Sequence, residues 1–252
     1  MKFEIINKFK SARLGVLKTK HSVINTPTFM PVGTLATVKG ITNDQLEDMG
    51  YNIILANTYH LMLRPGEKLI EKLGGINKFM SWNKSILTDS GGFQVMSLGK
   101  NVKVDEEGVT FKSHLDGNLV RLDAEIAIKI QHQLGSTISM TFDECIPYPY
   151  SYVDTKASLS RSTNWTKSSK KYFKKREGYG LFGITQGGMY KDLREISINK
   201  LIDLDFEGFA VGGLAVGEKQ DQMVEITKFS CKLLPENKPR YLMGIGYPSD
   251  IL

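Results

Sequence analysis

The sequence predicts a (β/α)8 barrel with seven of its eight strands, an N-terminal β hairpin and a β insertion after the third strand. Seven apolar, β-prone runs alternate with six helix-patterned segments, which calls for a parallel sheet. Polar or glycine-rich punctuation closes strand after strand: "NTYH", "TDSGG", "FDEC", "TQGG", "VGGLA" and "MGIG". A barrel gathers all its strand tips at one face, whereas a doubly wound sheet needs special tips only near its switch point. No repeat, low-complexity tract or linker interrupts residues 1–252, so the chain reads as one barrel domain.

Residues 1–29 form short β segments around polar turns ("NKFKSARLG", "KTKHS"), a hairpin ahead of the main domain. "TPTFMPVG" is the first barrel strand, and "TVKGITNDQLEDMG" is a helix ended by glycine. "YNIILANTYHL" is the second strand, and "PGEKLIEKLGGINKFM" a helix with proline near its start. "SILTDSGG" is the third. Residues 95–121 then alternate in a β pattern around a "DG" turn, which reads as an inserted hairpin. "DAEIAIKIQHQLG" is a helix, "STISMTFDEC" the fourth strand and "VDTKASLSRSTNWTKSSKKYFKKR" a long helix. "YGLFGITQGG" is the fifth strand, followed by the helix "YKDLREISINKLIDL". "FEGFAVGGLAVG" is the sixth, with "KQDQMVEITKFSCKLLP" its helix and "PRYLMGIG" the seventh strand. An incomplete barrel leaves the edges of strands one and seven free to pair.

Composition narrows the class. Of 252 residues, 41% are hydrophobic and 24% charged, an ordinary globular balance. No apolar run reaches the length of a membrane span and no signal peptide is legible. Only Cys145 and Cys231 are cysteines, too few for a disulfide framework or a cysteine-rich zinc site, so a reducing cytoplasm is expected. The net charge of +6 permits a nucleic-acid partner without demanding one. The densest basic cluster is "KSSKKYFKKR", residues 167–176, which is either a solvated helix face or a surface for tRNA.

The chemistry gathers at strand tips. Asp89 ends strand three and Asp143 ends strand four, so the two carboxylates can face one cleft and divide acid and base work. The competing reading is that each caps the helix after it. Gln186, in "GITQGG", carries an amide suited to the edge of a heterocycle, or it is a solvated turn residue. "VGGLAVGEK" lacks the Lys–Ser/Thr of a phosphate loop, and Glu218 would repel phosphate. "GIGYPS" lacks the third glycine of a dinucleotide fingerprint. Phe93 and Met243 are either core or the two faces of a grip on a planar base. His21, His60, His114 and His132 show no metal-ligand spacing.

"FMPVGTLATVKG", "NTYHLMLRPG", "LTDSGGFQVMSL", "HLDGN", "FDEC", "FGITQGG", "GFAVGGLAVGE" and "YLMGIG" together resemble the bacterial tRNA-guanine transglycosylases, in family order from about residue 28 onward. The resemblance implies a (β/α)8 enzyme that exchanges guanine at the wobble position of a tRNA with a GUN anticodon for a 7-deazaguanine precursor of queuosine. It implies a covalent ribosyl-enzyme intermediate, with a homodimer as a candidate assembly. By this likeness Asp89 is the general acid/base. Asp143 and Gln186 hydrogen-bond the base edge, with the backbone around Gly212, Gly213 and Leu214. Phe93 and Met243 sandwich the rings, while Ser90 and Cys145 share the pocket.

The nucleophilic aspartate of the family follows "YLMGIG", and Asp250 comes too early to match it. The resemblance therefore implies a C-terminally truncated member, whose nucleophile, structural zinc ligands and much tRNA-binding surface lie beyond Leu252. No cofactor is expected within the chain itself. Two other readings stand beside it: an inactive base- or tRNA-binding remnant or partner subunit, and a barrel glycoside hydrolase using Asp89 and Asp143.

Overall fold

A computed structural model describes residues 1–99 and 102–251. Residues 100 and 101, inside the predicted insertion, and Leu252 lie outside the described residues.

Six strands form one parallel sheet: β4 (Ile53–Ala56), β5 (Ser85–Thr88), β9 (Ile138–Met140), β10 (Gly180–Thr185), β11 (Gly208–Val211) and β12 (Arg240–Leu242). Their order is β12-β11-β10-β9-β5-β4, which is chain order, as a singly wound barrel requires. Alternation sorts their side chains. Ile53, Leu55, Leu87, Ile138, Met140, Phe182, Ile184 and Ala210 fill one interior cluster. Their neighbours Ile54, Ala56 and Ile86 pack into a second layer against the helices, as do Phe209 and Val211 at the other end of the sheet.

The first predicted barrel strand is reduced to a bridge between Val32 and Leu55. Gly33 N–H donates to Leu55 O, and Leu55 N–H to Pro31 O at 2.9 Å. Pro27 and Pro31 have no N–H, so a longer ladder has no donors there. The sheet is also thin between β5 and β9, where Leu87 and Ile138 form the one register pair. The buried amide of Gln131 fills that seam, accepting from Thr88 Oγ1 and Met140 N–H and donating to Met140 O.

The N-terminal segment is a three-stranded antiparallel sheet rather than a hairpin: β1 (Lys2–Phe9), β2 (Ala12–Lys18) and β3 (Val23–Thr26). It plugs the barrel at the N-terminal ends of the strands. Leu17 and Ile24 enter the interior cluster, Ser22 Oγ bonds Asn52 O and Ser85, and His21 Nδ1 bonds Thr137. The opposite end of the barrel stays available for chemistry.

The insertion is three-stranded, with β6 (Val102–Val104), β7 (Gly108–Lys112) and β8 (Leu119–Asp123). Of the helices, α1 (Asn43–Asp48) is shorter than predicted and begins at a capping box on Thr42. The tip "NTYHL" starts a helix, α2 (Thr58–Leu63), rather than prolonging its strand. The helix expected over "PGEKLIEKLGGINKFM" breaks into α3 (Glu67–Lys72) and α4 (Ile76–Met80). Gly74 and Gly75, at φ +92° and +93°, cause the break, because only glycine adopts that backbone freely. A short helix, α5 (Gly92–Met96), follows β5. The longer helices α6 (Ala124–Leu134), α7 (Tyr152–Tyr172), α8 (Lys191–Ile202) and α9 (Gln220–Leu233) stand where the periodicity placed them. A final turn, α10 (Pro248–Ile251), closes the described chain.

Candidate active site

The site grows from the C-terminal tips of β5, β9, β10 and β11. Asp89 leaves β5 as a buried carboxylate held by three donors. Thr58 N–H donates to Oδ1 at 2.8 Å, Gln94 Nε2 to Oδ2 at 2.8 Å, and Asn57 Nδ2 also reaches Oδ2. Burial pushes its pKa up, and these hydrogen bonds to the charged form oppose the shift. The two glycines that follow have separate reasons. Gly91 sits at φ +83°, where a side chain is strained, and a Cβ on Gly92 would lie 2.5 Å from Asp143 O. The glycines bring the β5 and β9 tips together.

Asp143 is buried beside them. Ser90 Oγ donates to Oδ1 at 3.1 Å and Gln186 Nε2 to Oδ2 at 2.7 Å. Burial is the largest influence on its carboxyl group, raising the pKa to about 6, with Asp89 and Glu144 adding to the rise and the two hydrogen bonds resisting it. Neither aspartate caps the helix after it, since Gly91 precedes α5 and Ser151 caps α7. The neighbouring Glu144 turns away into a bidentate pair with Arg161, Nε to Oε2 at 2.7 Å and Nη2 to Oε1 at 3.0 Å.

Glycine contacts tie the β10 and β11 tips to this pair. A Cβ on Gly213 would fall 2.5 Å from Gln186 Oε1, and one on Gly212 would fall 2.6 Å from the Ile184 side chain. Cys145 is buried beside them, and its thiol is pushed up to about 12 by burial and by Asp143. That sulfur is inert rather than nucleophilic at neutral pH. Leu214 is buried next in line. Glu218 accepts from Ala215 and Val216 N–H, so its carboxylate fills the turn in which a phosphate loop would hold an anion.

The predicted residues Asp89, Ser90, Asp143, Cys145, Gln186, Gly212, Gly213 and Leu214 thus come together. Phe93 and Met243 stand apart from the hydrogen-bonded set. Phe93 is 51% exposed on α5, and Met243 packs at the edge of the interior cluster. Sequence reasoning assigned no role to Asn57, Thr58, Gln94 or Arg194. Asn57 and Thr58 open the punctuating "NTYH", and Gln94 lies in "TDSGGFQV", so their positions carried a signal. Arg194 carried none, because an arginine within a helix pattern looks solvated.

The basic run 167–176 ends α7 at the N-terminal end of the barrel, away from Asp89. Gly178 O accepts from Lys20 N–H of the N-terminal sheet there, and Lys170 Nζ bonds Asp205 O. Among the described residues no group of three or more His, Cys, Asp or Glu is placed to hold a metal ion. No helix among the described residues is long and apolar enough to cross a membrane.

Comparison with known proteins converges on one assignment. Residues 8–252 match the family model described as queuine tRNA-ribosyltransferase. The queuine tRNA-ribosyltransferase of Rickettsia bellii is 53% identical over 250 residues, covering 99% of this chain and 69% of that protein. That of Caldanaerobacter subterraneus subsp. tengcongensis is 54% identical over 254 residues, covering 100% of this chain and 68% of its own length. The Rickettsia typhi protein is 53% identical over 250 residues, again covering 69% of the relative.

Proposed function

The chain belongs to the queuine tRNA-ribosyltransferase family of pentosyltransferases, and from that premise we propose how its strand-tip residues exchange guanine in tRNA for a 7-deazaguanine. The observation that carries the reading is the buried pair Asp89 and Asp143 on neighbouring tips, each held by a different set of donors. Two carboxylates in unlike surroundings can take unlike roles.

Asp143 reads the base. Its carboxylate and the Gln186 amide form one polar edge, complementary to the ring N–H, amino and carbonyl groups of guanine. A base lacking those groups would leave both buried and unpaired, which makes the edge selective. Ser90 holds the Asp143 carboxylate in its acceptor form. Cys145, Gly212, Gly213 and Leu214 give the base a close backbone wall, and Phe93 and Met243 cover its faces once it is seated.

Asp89 moves the proton. Cleavage of the N-glycosidic bond builds positive charge on the ribose and negative charge on the departing base. A protonated Asp89 gives its proton to a ring nitrogen of that base as the ribose C1′ passes to a carboxylate nucleophile outside the residues assigned here, and the resulting Asp89 carboxylate takes a proton from the incoming base as its ring nitrogen displaces that nucleophile from C1′. Its raised pKa favours the first half of the cycle, and the Asn57, Thr58 and Gln94 donors favour the second. The target nucleotide must leave its stack to reach so buried a pair. The wobble guanine of a GUN anticodon in cytoplasmic tRNA is the substrate this reading implies.

The test is incorporation of labelled guanine into unmodified tRNA by the purified chain, alongside guanine binding by calorimetry. Incorporation that Asp89→Asn abolishes supports the assignment. Absence of both incorporation and guanine binding in a folded chain would sink it.

A further inference from the structure

We infer that Arg194 is a positioning residue for base recognition, an inference that rests on the base-exchange reading. Arg194 lies in the first turn of α8 and is completely buried. Among the described residues no carboxylate lies within ion-pair distance of it. Its donors meet backbone carbonyls instead. Nε donates to Gly188 O at 2.7 Å, Nη1 to Gly212 O at 2.7 Å and Thr185 O at 3.2 Å, and Nη2 to Gly213 O at 3.3 Å. Two of these carbonyls belong to the β10 tip and two to the β11 tip. One side chain therefore spans both loops that frame Gln186.

Burying a cation without a counter-ion is costly, and an apolar residue would fill the same space at less cost. Burial draws the guanidinium pKa down only to about 10, so it stays charged at neutral pH. The planarity of the peptide gives that charge a purpose. A trans peptide points its C=O and N–H to opposite sides. With Gly212 O turned onto Arg194, the Gly213 N–H faces away from the guanidinium. With Gly213 O turned the same way, the Leu214 N–H also faces away from the guanidinium. Among the described residues nothing accepts either N–H, whereas the next two N–H groups are taken by Glu218. The Gly213 and Leu214 N–H groups are thus preset donors beside the Gln186 amide, and a cation on the carbonyl side of each peptide strengthens them. The complementary group is a carbonyl oxygen on the purine rim.

The experiment compares guanine with 2-aminopurine, which keeps the amino group and lacks the carbonyl oxygen together with the ring N1–H that Asp143 reads, so the change caused by each variant, not the difference between the bases, is the readout. Affinities are measured by calorimetry and by 2-aminopurine fluorescence on the wild-type chain, Arg194→Lys and Arg194→Met, with circular dichroism and a thermal melt establishing folding. Both variants should weaken guanine by about tenfold or more while changing 2-aminopurine by less than about twofold, so that discrimination between the bases shrinks by about that factor. Equal weakening of both bases would mean a merely structural role and overturns the inference. Unchanged guanine affinity in a folded variant overturns it as well. Should Arg194→Met fail to fold, Arg194→Lys decides alone, since lysine keeps the charge but cannot span four carbonyls. A wild-type chain that binds neither base would instead bring down the base-exchange reading, a result distinct from either failure of Arg194.

Discussion

Gln186 Nε2 donates to Asp143 Oδ2 at 2.7 Å, which joins the tips of two adjacent barrel strands through their side chains. The bond uses the amide as donor and leaves the Gln186 carbonyl oxygen against Gly213. It orients a polar edge before any base arrives, so little reorganisation is needed on binding.

Asp143→Asn should weaken guanine binding strongly, because an acceptor facing the N–H groups of guanine becomes partly a donor. A loss of about 2 kcal/mol or more is expected, the scale for leaving a buried polar group wrongly paired. Calorimetry at neutral pH measures it, and unchanged affinity would remove Asp143 from the pocket.

The pH dependence has two opposite signs. The folded Asp143 pKa lies at about 6, above its ordinary value of 3.8, so the folded chain binds this proton more tightly than the unfolded chain. Its contribution to stability is fully present below 3.8 and is lost as pH rises through about 6. Asp143→Asn should flatten that part of the stability curve in urea melts between those limits. Guanine affinity should instead fall as pH drops through about 6, where the acceptor becomes protonated. Ser90→Ala removes a hydrogen bond to the carboxylate and should move the midpoint of guanine binding upward.

Asp89→Asn should separate binding from turnover. Loss of a general acid/base lowers exchange by about 10²–10⁴-fold. Guanine affinity should change by no more than about threefold, since Asp89 is engaged by Asn57, Thr58 and Gln94 rather than by Gln186. Equal losses in both measurements would assign Asp89 to binding.

Gly92→Ala should destabilise the fold by about 1–3 kcal/mol, the usual range for overpacking, and should impair base binding with it. The added Cβ would meet the backbone oxygen of Asp143 at 2.5 Å, which no rotamer change relieves. Urea denaturation checks the first effect and calorimetry the second.

Neutralising Lys170, Lys171, Lys174 and Lys175 together should leave the salt dependence of tRNA binding nearly unchanged, with a slope altered by less than about one. The cluster lies at the opposite end of the barrel from Asp89. A slope reduced by several units would carry the RNA around to that end.

The sequence by itself determined the alternation of strands and helices, the polar strand tips and, through motif likeness, eight of the residues that meet at the site. Those features are local: period, punctuation and short motifs survive in one dimension. Its errors are local competitions decided by chemistry, such as the prolines that shrink the first strand to a bridge at Val32 and the glycines that split α3 from α4. The five residues of α5 are too few for helical periodicity to register.

Only the tertiary structure decided which polar groups face one another. Asn57 and Gln94 grip Asp89 because β4, β5 and α5 converge there, and no spacing along the chain encodes that convergence. Arg194 shows the same limit most clearly. An arginine in a helix is ordinarily solvated, and this one is buried because α8 packs against the β10 tip and brings the β11 carbonyls within its reach. A residue's type fixes what it can donate or accept. What it does depends on the partners that packing delivers from distant parts of the chain, where burial turns a weak surface contact into a strong constraint.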